Sequence, residues 1–545
     1  MNTPDLDAAA AAVEAARALC VRAARHLAQQ SSEDGRISVD RLDRHQIVAY
    51  DLAHAQSGIE GARVMVDYGR HGGLQARLAC LFAAEAIADL VGRLVGREGE
   101  WGVSAMDLAP AGEFVNAHRS PEFVDDVAEE IARHGGGPAQ LSEDFELVRD
   151  TFRRFAADKI RPVAEQVHRT NSDIPEEVIR GLAELGGFGL SVPERYGGMA
   201  SGGESDYLGM VIATEELSWG SLGVGGSLIT RPEILTRALV RGGTEDQKQH
   251  WLPRIATGEA MVAVMVTEPD YGSDVANIKV TATPVERAGW KINGVKTWAT
   301  FAGRANTLML LVRTDPDRSK GHKGLSLFVV EKPEAPGHHF EFRQDSGGRM
   351  EGRAIDTLGY RGMHSYEVAF EDWLVPEDSL VGGQDGLGKG FYFQMEGFEN
   401  GRLQTAARAV GLMQAAFDAA LGYARERKVF GRSIFEYQLT KAKLARMAAV
   451  IQGGRQFAYS VARLMAKGEG ALEASMVKAY VCRAAEWVTR EALQIHGGMG
   501  YAEEFPVSRF FVDARVLSIF EGADETLCLR VIARRLAEQA LEGTP

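Results

Sequence analysis

One acidic residue near the carboxyl end, Glu521 in the stretch SIFEGADET, stands where a carboxylate could do chemistry. Apolar residues after Thr526 recur at spacings that share one helix face, so Glu521 lies where a loop enters a helix. A carboxylate ahead of a first turn is favoured by the free N–H groups and the helix dipole, which makes helix capping one interpretation. The other is general-base catalysis in a pocket that excludes water, because desolvation raises the pKa of a carboxyl group. This stretch alone leaves both open.

Further candidate residues occur in short motifs at the ends of predicted strands and helices. VTEPDYGSD at 266–274 follows an apolar strand and turns sharply, so it presents hydroxyls and backbone N–H groups at the strand end. KTWAT at 296–300 ends a second strand. ERKVFG at 426–431 places an arginine near a phenylalanine, and QIHGGMGY at 494–501 ends a helix at paired glycines. Each motif alone is equally an ordinary turn, a buried aromatic or a helix C-cap.

Three other patterns are chance matches. Gly383 to Lys389 reads G-x-x-x-x-G-K, but Gly390 stands where a P-loop needs a Mg²⁺-binding Ser or Thr. The S-x-x-K match at 475–478 falls inside a predicted helix without a companion motif. The glycines of GSLGVGG at 220–226 do not follow a strand, so a Rossmann dinucleotide site is not supported.

The composition excludes several classes of protein. With 545 residues, 45% hydrophobic and 25% charged, the chain has room for three or four domain-sized cores of an ordinary soluble protein. A net charge of −14 argues against nucleic acid or an anionic membrane as the main partner. None of the four cysteines forms a C-x-x-C pair, so neither disulfides nor a metal site is expected. No apolar run reaches the roughly 18 residues of a membrane span, and the start lacks a basic segment before an apolar run, so we expect a cytoplasmic protein.

The first part of the chain, ahead of these motifs, is predicted to be a helical module followed by a linker. Residues 8–98 are Ala- and Arg-rich with helical periodicity, and a Gly- and Pro-rich stretch predicts a linker near 110–136. We expect this N-terminal module to pack against the rest of the chain, because a lone bundle of roughly 100 residues would only partly bury its apolar stripes.

The remainder reads as helices, then strands, then helices. Helices are predicted from Ser142 to about residue 260, and short Val-, Ile- and Thr-rich segments broken by Asn-Gly and Gly turns then predict a β-domain. Long amphipathic patterns from Gly390 onward predict a bundle. We therefore expect a mainly α chain with a central β-domain, divided into 1–136, 137–260, 261–382 and 383–545.

Taken together and in their order, VTEPDYGSD, KTWAT, ERKVFGR, QIHGGMGY and IFEGADET resemble the acyl-CoA dehydrogenase family from about residue 140 to 540. Members are flavoproteins with an α-helical domain, a β-barrel-like domain and a C-terminal four-helix bundle; here an N-terminal helical module is added. The resemblance implies FAD-dependent α,β-dehydrogenation of an acyl-CoA thioester, with Glu521 as the base. In some relatives the base lies instead at the position of Gly401, where glycine cannot serve, which favours Glu521 as base over cap.

The resemblance also assigns binding residues. FAD is expected to contact Val266, Thr267, Gly272, Ser273, Trp298, Thr300 and Glu525. Each FAD is shared between subunits in the family, which implies a homodimer or homotetramer in which the residues reaching the neighbour's cofactor are Arg427, Phe430, Gln438, Gln494, Gly497 and Gly498. Substrate contacts are expected from Ser273, Arg402 and Gly522. Electron transfer flavoprotein is the expected electron acceptor.

Two departures from the family pattern concern the substrate. The first 136 residues and the insertion RQDSGGRMEGR at 343–353 resemble the branch that converts (2S)-methylsuccinyl-CoA to mesaconyl-CoA in the ethylmalonyl-CoA pathway. That substrate's free carboxylate needs a cationic or donating partner, for which we expect Arg231 with Ser227, or His364. The alternatives are a dehydrogenase for short or branched monocarboxylic acyl-CoA, a flavin monooxygenase or oxidase, and a helical protein without chemistry.

Overall fold

The computed structural model describes residues 3–543, and the chain divides into two compact units. Unit 1 contains the residues up to Glu146 and those from Thr405 onward, whereas unit 2 is Leu147–Gln404. The expected N-terminal module and C-terminal bundle therefore belong to one unit.

The N-terminal module of unit 1 consists of helices and one short hairpin. Leu78, Leu81, Phe82 and Ile87 of this module are all buried, as expected for one apolar helix face. The elements are α1 (Leu6–Ser31), β1 (Ser32–Glu33), β2 (Arg36–Ile37), α2 (Val39–Leu42), α3 (Gln46–Gly69), α4 (Gly73–Leu94), α5 (Glu98–Trp101), α6 (Gly112–His118) and α7 (Pro121–His134).

The expected linker at 110–136 is wrong, because most of this segment is helical. Within α7, Phe123, Val127 and Ile131 recur at helical spacing and are buried. Proline stands at the start of α7, where its missing N–H costs nothing. The short Gly-Gly-Gly-Pro run after α7 forms a turn followed by irregular backbone.

Unit 2 opens with helices, as the sequence predicts. They are α8 (Glu143–Phe155), which starts just before the unit boundary, α9 (Arg161–Thr170), α10 (Glu176–Glu184), α11 (Glu204–Gly220), α12 (Thr230–Gly242) and α13 (Glu245–Ala256). A π-helical turn, Ala156–Ile160, joins α8 to α9.

Eight strands form one sheet in the part of unit 2 that the structure describes. The order is β3-β6-β4-β5-β10-β9-β8, and β7 also pairs with β6. β5 and β10 are antiparallel, with Thr300 opposite Ser365. The strands are β3 (Val262–Met265), β4 (Thr281–Val285), β5 (Gly289–Thr300), β6 (Thr307–Arg313), β7 (Leu325–Glu331), β8 (His339–Arg343), β9 (Arg349–Ile355) and β10 (Ser365–Val375).

The last part of the chain is helical, and the boundary between the units falls inside its first helix. The elements are α14 (Gly390–Glu426), β11 (Lys428–Val429), β12 (Arg432–Ser433), α15 (Gln438–Met465), α16 (Ala471–His496), α17 (Gly498–Tyr501), α18 (Pro506–Leu517), α19 (Asp524–Thr526), a π-helical segment (Leu527–Ala533) and α20 (Arg534–Glu542). The expected mainly α architecture with a central β-domain is confirmed. Among the residues described, no helix is long and apolar enough to cross a membrane.

The N-terminal module packs closely on the C-terminal helices within unit 1. A Cβ at Gly453 of α15 would lie 2.1 Å from the Phe82 ring of α4, so only glycine permits this approach. Lys441 of α15 pairs with Asp125 and Glu129 of α7 at 3.0 and 2.8 Å. The predicted packing of the module is thereby confirmed for the C-terminal helices.

Candidate active site

Glu521 lies in the loop between α18 and α19, and its side chain is only 5% exposed. Ala523 occupies the N-cap position of α19 and makes no side-chain cap, so Glu521 is not the N-cap residue of this helix. The backbone of Glu521 is left-handed, with φ of 53°. Such a conformation costs roughly 1–3 kcal/mol in a residue with a side chain and persists only where the surroundings impose it.

A buried guanidinium faces Glu521 inside unit 1. Arg408 of α14 is fully buried, and its Nη2 lies 4.0 Å from Glu521 Oε1. The same nitrogen donates to Thr405 Oγ1 at 2.6 Å, and the guanidinium lies over the Phe520 ring, 4.7 Å from its centroid. Arg408 was not predicted as a site residue, because one arginine within a long helical pattern gives no local signal. Its burial beside a candidate base is what identifies it.

The backbone next to Glu521 is fixed by buried partners. The ammonium of Lys478, on α16, donates to the carbonyl of Gly522 at 2.6 Å, and this lysine is fully buried. Gly522 has a φ of 97°, which a residue with a side chain rarely adopts. The N–H of Asp524 donates to the carbonyl of Ser518 at 3.0 Å, which closes the loop on itself. The loop therefore has a defined conformation in which Gly522 is required.

In unit 2, the motifs at 266–274 and 296–300 meet beside the end of β5. The N–H of Thr297 donates to the carbonyl of Thr267 at 2.9 Å, which joins the turn to the strand. Trp298 has a left-handed backbone and a ring that is 55% exposed. Of the other predicted residues here, Val266 and Thr300 are buried, whereas Gly272 and Ser273 are exposed.

A buried ion pair that the sequence analysis did not single out holds this turn. Lys296 is fully buried, and its ammonium lies 2.9 Å from Glu268 Oε1 and donates to the Val266 carbonyl at 2.8 Å. The Glu268 carboxylate also accepts the N–H groups of Lys279 and Val280 at 2.6 and 2.9 Å. Burial lowers the pKa of Lys296 to about 8. Both residues lie inside the quoted motifs, but their pairing across 28 residues is visible only in the structure.

The residues expected to reach a neighbouring subunit are all exposed in unit 1. Phe430 stands at the tip of the β11–β12 hairpin with 93% of its surface exposed. Both hairpin-turn residues, Phe430 and Gly431, have positive φ, as a two-residue turn requires. The other exposed members are Arg427, Gln438, Gln494, Gly497 and Gly498, and Glu525 is exposed as well.

The residues predicted to hold a substrate carboxylate lie in unit 2. Arg231, at the start of α12, is 6% exposed, so it is not a surface residue at a helix end. Ser227 is buried and accepts the hydroxyl of Tyr360. His364 is also buried, with Nε2 3.2 Å from Asp173 Oδ1. Its hydrogen bond holds the pKa of Asp173 below the usual range, so this histidine already faces an anion. Arg402 on α14 is half-buried.

Family models match most of the chain. The acyl-CoA dehydrogenase N-terminal domain matches residues 142–259, the middle domain 263–373 and the C-terminal domain 388–537.

Individual relatives extend this result. The chain is 37% identical to (2S)-methylsuccinyl-CoA dehydrogenase of Cereibacter sphaeroides, over 94% of each chain. It is 36% identical to mitochondrial 2-methylacyl-CoA dehydrogenase of Solanum tuberosum, over 73% of this chain and 91% of the relative. A solved structure of glutaryl-coenzyme A dehydrogenase with glutaryl-CoA matches with a TM-score of 0.66 and 30% identity, over 72% of this chain and 95% of that one. The match over 94% of the chain must include most of the N-terminal module.

Proposed function

The chain belongs to the acyl-CoA dehydrogenase family and is an FAD-dependent acyl-CoA oxidoreductase, and from this premise we propose that it oxidises (2S)-methylsuccinyl-CoA to mesaconyl-CoA. The reaction removes a proton from Cα and a hydride from Cβ of the thioester. It therefore needs a base and a two-electron acceptor.

Bound FAD supplies the acceptor for the hydride. The residues assigned to this cofactor fit such a group, because Trp298 and Phe430 keep large rings exposed on left-handed backbone. A Cβ built at Gly272 or Gly498 would have no atom of the described residues within 4 Å, apart from its sequence neighbours and, in a helix, the adjacent helix backbone. The space beside these two glycines leaves room for a ligand. We assign the flavin contacts to the turn at 266–273, and to Trp298 and Thr300.

We assign the role of base to Glu521. Its side chain is withdrawn from water, as a carboxylate that must abstract a proton from carbon requires. In the reaction, the carboxylate takes the Cα proton while Lys478 keeps the adjacent Gly522 carbonyl in place. Fixed placement of the base is what makes the proton transfer fast.

A dicarboxylic substrate is supported above all by the position of Arg408. In a succinyl thioester the free carboxylate is bonded to Cβ, so it must lie within a few ångström of the bond that is oxidised. A carboxylate that leaves water there needs a cation. Arg408 is a fully buried guanidinium 4.0 Å from the proposed base. Arg231 is the second candidate and His364 the third; His364 lies against the carboxylate of Asp173, as Arg408 does against that of Glu521.

Similarity over most of the chain supports the same substrate. The Cereibacter sphaeroides relative, named for methylsuccinyl-CoA, is similar over 94% of this chain, and the Solanum tuberosum relative over 73%. We further propose that electrons pass to electron transfer flavoprotein, that the chain works as a homodimer or homotetramer sharing FAD, and that it is cytoplasmic. The exposed aromatic ring of Phe430 supports an interface of this kind.

The experiment is turnover of the FAD-loaded enzyme with methylsuccinyl-CoA, butyryl-CoA and isobutyryl-CoA in the presence of an artificial electron acceptor. We expect the highest kcat/KM for methylsuccinyl-CoA. A higher value for either monocarboxylic substrate would contradict the proposal and favour a short- or branched-chain acyl-CoA dehydrogenase.

Variants of the two arginines then identify the carboxylate partner. We expect Arg408→Met to lower kcat/KM for methylsuccinyl-CoA by about 3–5 kcal/mol of transition-state binding, the scale for a buried charge left without its partner, and to affect butyryl-CoA much less. Arg231→Met is compared directly, and Arg455→Met, which removes another buried arginine of unit 1, is the control. Equal losses of Arg408→Met on both substrates would exclude Arg408 as the carboxylate partner.

A further inference from the structure

Asp524, three residues after Glu521, is held by the N-terminal module. The Tyr50 hydroxyl of α3 donates to Asp524 Oδ2 at 2.5 Å, and His54 Nε2 lies 3.0 Å from the same oxygen. Tyr50 and His54 are four residues apart, so they project side by side from one face of α3. One carboxylate oxygen beside the proposed base is therefore bound twice by a segment some 470 residues away in the sequence.

This contact lies in the interior of unit 1. His54 is 4% exposed and Asp524 is 6% exposed. The Tyr50 ring meets the His54 ring edge-on, with centroids 4.7 Å apart, and Cys528 Sγ lies 3.4 Å from His54 Nε2. A carboxylate in such surroundings needs partners of its own, because water does not solvate it.

The ionisation states make the contact a charge-assisted one. Burial lowers the pKa of His54, which favours the neutral imidazole that donates through Nε2. Burial alone would raise the pKa of Asp524, but the hydrogen bonds from His54 and Tyr50 hold it below its usual value. An ionised carboxylate that accepts two hydrogen bonds is fixed more firmly than a neutral pair would be.

The loop around Glu521 needs such fixing because its backbone is strained. Glu521 has a φ of 53°, in the left-handed region that a residue with a side chain rarely adopts. Lys478 binds the Gly522 carbonyl from α16 at 2.6 Å, so the C-terminal helices support the loop on one side. Asp524 attaches the loop to α3 of the N-terminal module. The loop is thus held between this module and the C-terminal helices of unit 1.

We propose that Tyr50 and His54 are positioning residues for the base, which makes the N-terminal module a working part of the active site. By holding Asp524, they fix the backbone from Glu521 to Asp524 and so the direction of the Glu521 carboxylate. The inference rests on the proposed role of Glu521 and extends it to the module.

A bound metal ion is the competing account of the same cluster. Ligand atoms of His54, Asp524 and Cys528 lie within 4.8 Å of one another. Burial raises the pKa of the Cys528 thiol, which disfavours the thiolate that a metal would need. Stoichiometric zinc or iron in the purified enzyme, measured by elemental analysis, would overturn the hydrogen-bond account.

The test compares variants on α3 by single-turnover reduction of the FAD-loaded enzyme under anaerobic conditions. His54→Leu and Tyr50→Phe each remove a donor to Asp524, whereas His54→Gln keeps an N–H donor in about the same place. Tyr68→Phe is the matched control, because Tyr68 is a buried tyrosine of the same helix whose hydroxyl donates to the Pro138 carbonyl at 2.9 Å. Glu521→Gln serves as the reference for loss of the base.

We expect His54→Leu to slow flavin reduction by about 10²-fold, the scale for a base displaced by about an ångström. KM and FAD content should stay close to those of Tyr68→Phe, and His54→Gln should recover most of the rate. The pH profile of the reduction rate should shift in His54→Leu and not in Tyr68→Phe, since only His54→Leu alters the position and surroundings of the Glu521 carboxylate.

Two kinetic outcomes would also contradict the proposal. Parental rates in both His54→Leu and Tyr50→Phe, with Glu521→Gln inactive, would show that the loop does not need α3. An equal loss in Tyr68→Phe would indicate general destabilisation of the module. A parental rate in Glu521→Gln would instead refute the assignment of the base itself, so the two failures are distinguishable.

Discussion

Breaking the buried Lys296–Glu268 pair should destabilise the turn at 266–274 of unit 2, to which we assign flavin contacts. In Lys296→Met the side chain keeps its length, but Glu268 retains a buried charge without its cation, and the Val266 carbonyl loses a donor at 2.8 Å. Removing one partner of a buried ion pair costs about 3–5 kcal/mol. The hydrogen bonds that Glu268 accepts from the N–H groups of Lys279 and Val280 remain, and they limit the loss of stability.

The assay is urea-induced release of FAD, followed by flavin fluorescence. Lys291→Met is the matched control: Lys291 lies on the same strand, its side chain is 41% exposed, and it is 3.7 Å from Asp372. An exposed pair of this kind contributes about 0–1 kcal/mol, so this variant should release FAD at nearly the parental urea concentration. Lys296→Met should release it at a clearly lower concentration.

A double-mutant cycle isolates the pair itself. Glu268→Gln leaves Lys296 as the buried charge and should also be costly, whereas the Lys296→Met/Glu268→Gln double variant leaves neither charge. The double variant should therefore lose less than the sum of the single losses. Additive losses, or a Lys296→Met enzyme as stable as Lys291→Met, would refute the reasoning that this ion pair fixes the turn.

Three further outcomes follow from the structure. Arg427→Ala should weaken FAD retention during gel filtration relative to Arg425→Ala, an exposed neighbour, because only the former is assigned to the partner's cofactor. Burial lowers the pKa of His54 in the folded protein, so below about pH 6.5, the ordinary value, the unfolded chain binds more protons than the folded chain. The free energy of unfolding should therefore fall as the pH drops below this value, and it should fall less in His54→Gln. Residues 137–545 expressed alone should aggregate or lose activity, because Gly453 on α15 is packed against Phe82 of the module; a fully active, FAD-loaded fragment would contradict this.

The sequence predicted the order of helical and β segments because periodicity and turn residues are local properties. It missed α7, because the Gly-Gly-Gly-Pro run after this helix outweighed the helical spacing of Phe123, Val127 and Ile131. A breaker at the end of a helix marks where the helix stops, and says little about the residues before it.

The candidate site was only partly predictable for a related reason. Glu521 was identified by its motif, but whether it caps a helix depended on the N-cap position of Ala523 and on burial of the carboxylate. Arg408 and His54 were missed because their partners are distant in the sequence. His54 bonds to a residue 470 positions away, and no periodicity or motif encodes such a pairing.

The most direct test of the account is the rate at which methylsuccinyl-CoA bleaches the oxidised flavin of the Glu521→Gln enzyme without oxygen. The amide keeps the size of the side chain and removes the proposed base. We expect parental FAD content with a reduction rate about 10²- to 10⁴-fold lower, the usual contribution of a general base. A rate close to that of the parent would contradict this prediction and place the base elsewhere.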